Sequence, residues 1–250
     1  MRIAIAGATG AVGRHVADVV QERGHTAVDL SRSAGVDLLD LSAVDRAVTG
    51  AGAVIDVSSI ATTAGSAAER FFGAATANLL TAGAARGVAH HVALSIVNID
   101  RAPSGYYAGK VVQEHLVEEG AVPWSILRAT QFHEFAAQML ERGHLGPFRA
   151  VPIMRTQPVA AREVAERLVD IAVSDARGRA TDLAGPREED LVDVARRYAR
   201  VMRIRGPILP VPLPGAMGTA MRTGALLPNP DADRAPTTFT AWLQAHHSSR

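Results

Sequence analysis

The chain has 250 residues, 26 Lys+Arg against 25 Asp+Glu for a formal net charge of +1, and no cysteine. Balanced charge removes any global pull toward nucleic acid or an anionic membrane, and the lack of cysteine removes disulfides, thiolate nucleophiles and cysteine metal sites together. The length suits one α/β domain with a modest appendage. No stretch approaches the roughly 18 apolar residues of a membrane helix, which points to a soluble cytoplasmic protein.

The first element is an apolar run over residues 3–6 that feeds into Gly7-Ala8-Thr9-Gly10-Ala11-Val12-Gly13, followed by a helix-period segment carrying Val16, Val19 and Val20. This reads as a dinucleotide-binding turn. Gly7 allows the sharp turn off a strand, Gly10 the close approach of a pyrophosphate, and Gly13 the tight packing of helix on sheet. The helix start offers free N–H groups and the positive end of its dipole. Thr9, Ala11 and Val12 belong to the same cofactor-binding loop. The spacing is GxxGxxG rather than the commoner GxGxxG. The glycines, Arg14 and His15 interrupt the apolar start, so it reads as a buried strand and not as a signal peptide.

Further strands are predicted near 26–30, 53–57, 90–96 and 123–127, with helices over 11–23, 41–49, 66–86 and 105–119. That alternation defines a doubly wound parallel sheet, the Rossmann architecture. After Leu127 a short helix and an amphipathic helix over 161–173 follow, and then Pro and Gly become too frequent between 206 and 230 for one regular element. Segments 129–158 and 185–235 are expected to build a small lid over the carboxyl edge of the sheet, where open α/β sheets bind ligands. The chain thus divides into a nucleotide-binding core, 1–158, and a region 159–250 that completes the core and forms a substrate-binding lid without being an independent domain. Residues 239–247 read as a docking helix carrying Trp242.

The exit of the second strand bears on cofactor choice, because a carboxylate there bonds the ribose hydroxyls of NAD whereas Arg receives the extra phosphate of NADP. Here the exit is Ser31-Arg32-Ser33, a hydroxyl and a guanidinium fork, which favours NADP(H) over NAD(H). Asp29 takes the decisive place instead if the strand shifts by one or two residues. Asp37 and Leu38 are candidates for adenine contact, and Ser58 and Ser59, just after the third strand, for contact with the cofactor backbone. The role of Asp56 stays open.

Chemistry needs a proton donor beside the nicotinamide. Tyr106 and Lys110, four residues apart, share one helical face, where an ammonium would lower the phenol pKa and could also hold a ribose hydroxyl. Ser95, at the end of the fourth strand, would donate to a substrate carbonyl. Tyr107, about 100° around the helix, packs or lines the substrate pocket.

These residues, with Tyr106-Tyr107-Ala108-Gly109-Lys110 and Pro123-Trp124-Ser125-Ile126-Leu127-Arg128-Ala129-Thr130-Gln131-Phe132, resemble the extended and atypical branch of the short-chain dehydrogenase/reductase superfamily. Within it the chain is most similar to NmrA-like NAD(P)H-binding proteins. The likeness covers roughly residues 1–175. It implies Gly7, Gly10 and Gly13 at the pyrophosphate, Arg32 near the adenosine phosphate, Asp37 and Leu38 near adenine, and Ser95, Tyr106 and Lys110 as the catalytic group. It also implies Arg128, Gln131 and Phe132 beside the nicotinamide or substrate. The step from Ser95 to Tyr106 is shorter than is common in that superfamily, and the NmrA-like branch includes members that bind cofactor without catalysis.

His90-His91, His133-Glu134 and His246-His247 lack HExxH spacing or a third ligand, so no metal is expected. His133 is either a polar substrate-pocket residue or a satisfied histidine. Arg196, Arg197, Arg200, Arg203 and Arg205 read as a solvated helix face, so no nucleic-acid partner is expected. The sequence therefore points to an NADPH-dependent reductase of a small, apolar carbonyl, quinone or enone. A redox-sensing binding module and, lower, an epimerase with retained cofactor are the alternatives. Helices 66–86 and 105–119 offer faces for a homodimer.

Overall fold

The computed structural model describes residues 1–248. Five parallel strands, β1 (Arg2–Ala6), β2 (Thr26–Leu30), β3 (Ala53–Asp56), β4 (His90–Ile96) and β5 (Trp124–Ala129), make the centre of the main sheet in the order β2-β1-β3-β4-β5. Short strands Leu183–Ala184 and Asp233–Arg234 extend it beyond β5, and Gly178–Arg179 also pairs with β5. Every residue of β3 is buried, as are residues 3–6 of β1, because helices cover both faces. The chain runs from β1 outward to β2, then returns across β1 to β3. That reversal opens a crevice at the carboxyl ends of β1 and β3.

On one face lie α1 (Gly13–Glu22) and α6 (Ala161–Ala172), which bury Val16, Val19, Val20, Val164 and Leu168 with Ile3, Ile5, Ile55 and Val92. Residues well beyond 158 thus contribute to the main core. On the other face α2 (Leu41–Val48) and α3 (Gly65–Arg86) cover Ala4, Ala6 and Val54, while α4 (Tyr106–Glu119) covers Ala93 and Ile126 through Val117. Asp40 caps α2 by accepting the backbone N–H groups of Ser42 and Ala43.

A second apolar cluster joins α5 (Phe135–Arg142), α7 (Leu191–Val201), α8 (Gly215–Thr223) and α9 (Phe239–Ser248), with Val151, Met154 and Phe239 at its centre. It carries a separate small sheet of His144–Leu145, Phe148–Pro152 and Ile208–Val211. Pro210 is tolerated there because Ile208–Val211 is an edge strand, which can spare a backbone donor. The third strand ends at Asp56, one residue earlier than the sequence pattern predicts, and residues Arg32–Ala34 form a 3-10 turn. Among the described residues no helix is long and apolar enough to cross a membrane.

Candidate active site

The glycine turn is held by contacts that exclude side chains. Gly7 has φ +84°, and a Cβ there would stand 2.8 Å from the Ser58 Cα; a Cβ on Gly13 would meet the Gly7 carbonyl at 2.1 Å. The first glycine therefore docks the turn on the exit of β3, and the third docks α1 on the turn. Gly10 donates its N–H to the Gly7 carbonyl at 2.9 Å and is exposed, as is Thr9, whereas the Ala8 and Val12 side chains are buried in the core. Any part Val12 plays toward a ligand thus falls to its backbone. Helix α1 starts with neither a side-chain cap nor an acidic residue in its first turn. An uncapped helix start behind a close-approach glycine fits a dinucleotide pyrophosphate.

At the exit of β2, Ser31 is buried and its Oγ lies 2.8 Å from that of Ser33, while Arg32 is exposed. Asp29 sits within the strand opposite Ile5. Its exposed side chain lines a groove of about 460 Å³ with Thr9, Arg14 and Asp18. Asp37 is exposed and accepts the Leu39 N–H, and Leu38 is buried at the rim of the α2–α3 core.

Helix α4 brings the next group together. Its Gly109 lies so close to α3 that a Cβ would be 2.6 Å from the Ala68 carbonyl carbon. On the face toward the sheet stand Tyr106, Lys110, Gln113 and Glu114, the last three buried. The Tyr106 hydroxyl lies 2.9 Å from Ser59 Oγ, and its ring meets Phe72 edge to face. Burial pushes its phenol above the ordinary value, partly offset by the Ser59 hydrogen bond. Lys110 turns away from it. Its ammonium donates to the Leu94 carbonyl at 2.5 Å and to Gln113 Oε1, over the Phe72 ring. Burial draws the Lys110 pKa down to about 8 against the attraction of Asp56 and Glu114. The expectation that Lys110 acidifies Tyr106 gives way to a different arrangement, because the ammonium finds a backbone carbonyl and an amide within the sheet-facing layer.

Asp56, fully buried, accepts the Ser58 N–H at 2.9 Å and the Gln113 amide at 2.7 Å. A polar chain thus runs Lys110–Gln113–Asp56–Ser58, with Ser59 next in sequence on Tyr106. Of its members only Gln113 goes unmarked in the sequence, where Ser58 and Ser59 read as cofactor contacts and the role of Asp56 stays open. Its signal is the recurrence of polar residues at i, i+4, i+7 and i+8 on a face that packs on a sheet.

Three other expectations meet different surroundings. Ser95, in register with Arg128 across β4 and β5, faces α4 beside the Glu114 carboxylate, where its buried Oγ lacks a well-formed hydrogen bond. Strand alternation aims it under the helix instead of at Tyr106. Arg128 is committed to a bidentate pair with Glu114, at 2.9 and 2.6 Å, and to Asp100. Its guanidinium therefore works as a bracket between β5, α4 and the 3-10 turn Ile99–Arg101. His133 is fully buried, bonded to the Thr237 carbonyl and packed edge-on to Phe239, so it belongs to the C-terminal cluster and not to a substrate pocket. Burial draws its pKa down to about 4. Tyr107 is held as a neutral phenol, pushed up to about 12 by burial, and accepts from the Gln131 amide, whose own carbonyl accepts from Thr156. Phe132 packs half-buried against the main core.

A parallel sheet with a reversal point and a glycine cradle at its carboxyl edge define a Rossmann-type α/β fold. No protein-family model matches the chain, and no curated protein matches its sequence. Solved structures do match. A short-chain dehydrogenase/reductase superfamily protein from Agrobacterium tumefaciens with bound NAD is 19% identical at TM-score 0.69, over 100% of this chain and 97% of that one. The NADPH-dependent quinone oxidoreductase QOR2 of Escherichia coli, complexed with NADPH, is 16% identical at TM-score 0.72, over 98% and 99%. The triphenylmethane reductase of Citrobacter sp. is 14% identical at TM-score 0.72, over 99% and 100%. At these identities the likeness shows the fold.

Proposed function

We propose that the protein is an NADPH-dependent reductase of a small, apolar carbonyl, quinone or enone. The observation that carries the reading is the position of the Tyr106 hydroxyl. It is bonded to Ser59, whose neighbour Ser58 packs on Gly7 of the nucleotide cradle, so a proton donor stands at the mouth of the crevice. A bound reduced nicotinamide supplies hydride. Tyr106 donates the proton that the substrate oxygen needs; a neutral phenol is a competent acid toward an alkoxide. The backbone of residues 9–13 holds the pyrophosphate and Arg32 the adenosine phosphate, while Gln131, Tyr107 and Phe132 line the substrate side. The lobe built on α5, α7, α8 and α9 acts as the lid. The QOR2 and triphenylmethane reductase likenesses support a reductase.

One observation favours a second reading. Ser95 and Lys110 are both turned away from Tyr106, which suits a dinucleotide-binding sensor that performs no chemistry. The test is Tyr106→Phe assayed with a panel of quinones and enones, alongside fluorescence titration with NADPH and NADH. The reductase reading expects kcat to fall at least a hundredfold with cofactor affinity unchanged, and the NADPH preference to collapse in Arg32→Ala. Tight NADPH binding without turnover of any panel member selects the sensor.

A further inference from the structure

We propose that Ser59, on the loop leaving β3, is the hydroxyl that sets the acidity of Tyr106, and that Asp56, Gln113 and Lys110 are positioning residues that hold Ser59 in place. The inference rests on the reductase reading for its catalytic meaning and on geometry alone for the contact itself.

Four observations converge. The Ser59 Oγ to Tyr106 Oη distance of 2.9 Å is a full hydrogen bond, and Ser59 is exposed at the crevice, while Ser95 is buried beneath α4. Asp56 Oδ1 accepts the Ser58 N–H, an Asx turn that fixes the backbone one residue before Ser59. Asp56 Oδ2 accepts from Gln113, and Gln113 accepts from Lys110, whose ammonium is pinned to the Leu94 carbonyl. Tyr106, Lys110 and Gln113 lie on one face of α4, so both ends of the ring are anchored on the same rigid helix. A buried Asp that only stabilised the sheet would have no need to reach the loop carrying the tyrosine's partner.

During reduction the substrate carbonyl carbon receives the hydride and its oxygen receives the Tyr106 proton. The resulting phenolate is stabilised by a hydrogen bond donated from Ser59, and a solvent proton passing through Ser59 restores the phenol. The groups that act electrostatically on Tyr106 are Asp56 from β3, which opposes its ionisation, and Arg142 from α5, which favours it; Lys110 on its own helix is engaged elsewhere.

The test reads the ligand-free protein. Phenolate absorbance after a rapid jump to alkaline pH, recorded before unfolding, is compared between wild type and Tyr106→Phe to isolate Tyr106 from Tyr107 and Tyr198. In Ser59→Ala the Tyr106 phenolate fraction at a fixed alkaline pH should fall roughly threefold to tenfold, the equivalent of one ordinary hydrogen bond. Ser59→Thr, which keeps the hydroxyl, should restore it, and Gln113→Leu, which frees Asp56 from α4 without removing its charge, should lower it in the same direction as Ser59→Ala. Steady-state kcat should fall in Ser59→Ala with KM unchanged and return in Ser59→Thr. An unmoved phenolate fraction in Ser59→Ala, or an equal shift in Ser95→Ala, overturns the proposal. Failure of the reductase reading is seen separately, as absence of dinucleotide binding or as binding without turnover of any panel member, and leaves the titration readable.

Discussion

Replacing Glu114 by Gln tests whether Arg128 is a structural bracket. The Glu114 side chain is 3% exposed and Arg128 is 15% exposed, and they form a bidentate pair; Arg179 adds a third contact at 3.0 Å. Breaking such a buried pair by removing one charge costs about 3–5 kcal/mol, because the remaining charge is left without compensation. Arg128 keeps Asp100, but that carboxylate is 64% exposed and its attraction is screened, so the discount is modest and about 2–3 kcal/mol of the cost remains. For a chain of this size that is a fall of about 4–12 °C in Tm. Burial works to raise the Glu114 pKa, yet the hydrogen bonds and charge of Arg128 bring it below its ordinary 4.5. A depressed carboxylate contributes stability that is full above the unfolded value and is lost as pH falls through the folded one. Urea unfolding followed by circular dichroism should show the full difference between wild type and Glu114→Gln at neutral pH, shrinking as the pH falls below the unfolded glutamate value. A neutral-pH difference under about 0.5 kcal/mol, or one independent of pH, refutes the bracket.

Gly13→Ala should destabilise by about 1–3 kcal/mol, since its Cβ would sit 2.1 Å from the Gly7 carbonyl. It should also weaken NADPH binding, as read by fluorescence titration. His133 is neutral when buried, with a pKa near 4 against 6.5 in the unfolded chain. The unfolded state therefore binds more protons between those values, and stability is full above pH 6.5 and falls toward pH 4. His133→Gln, which keeps a donor for Thr237, should flatten that acid limb as seen in unfolding midpoints across the range.

The sequence by itself determined the main sheet. Runs such as residues 3–6 and 90–96 are short and bounded by turn residues and so read as buried strands, and Val16, Val19 and Val20 share one helical stripe, because local pattern records burial. The glycine cradle was legible from its spacing, since Gly10 and Gly13 answer to atoms of the same turn, although the contact that excludes a side chain at Gly7 comes from Ser58 on a distant loop. The surroundings of the tyrosine were not. Which hydroxyl meets Tyr106 depends on strand register and on the alternation that turns Ser95 under α4, whereas Ser59 arrives from a loop 47 residues away from Tyr106. Lys110, Arg128 and His133 read as site residues in one dimension, and only packing could assign them to a carbonyl, an ion pair and an aromatic cluster. A buried polar group takes the partner that compensates its lost hydration, and in a folded chain that partner is set by tertiary neighbours and not by spacing along the sequence.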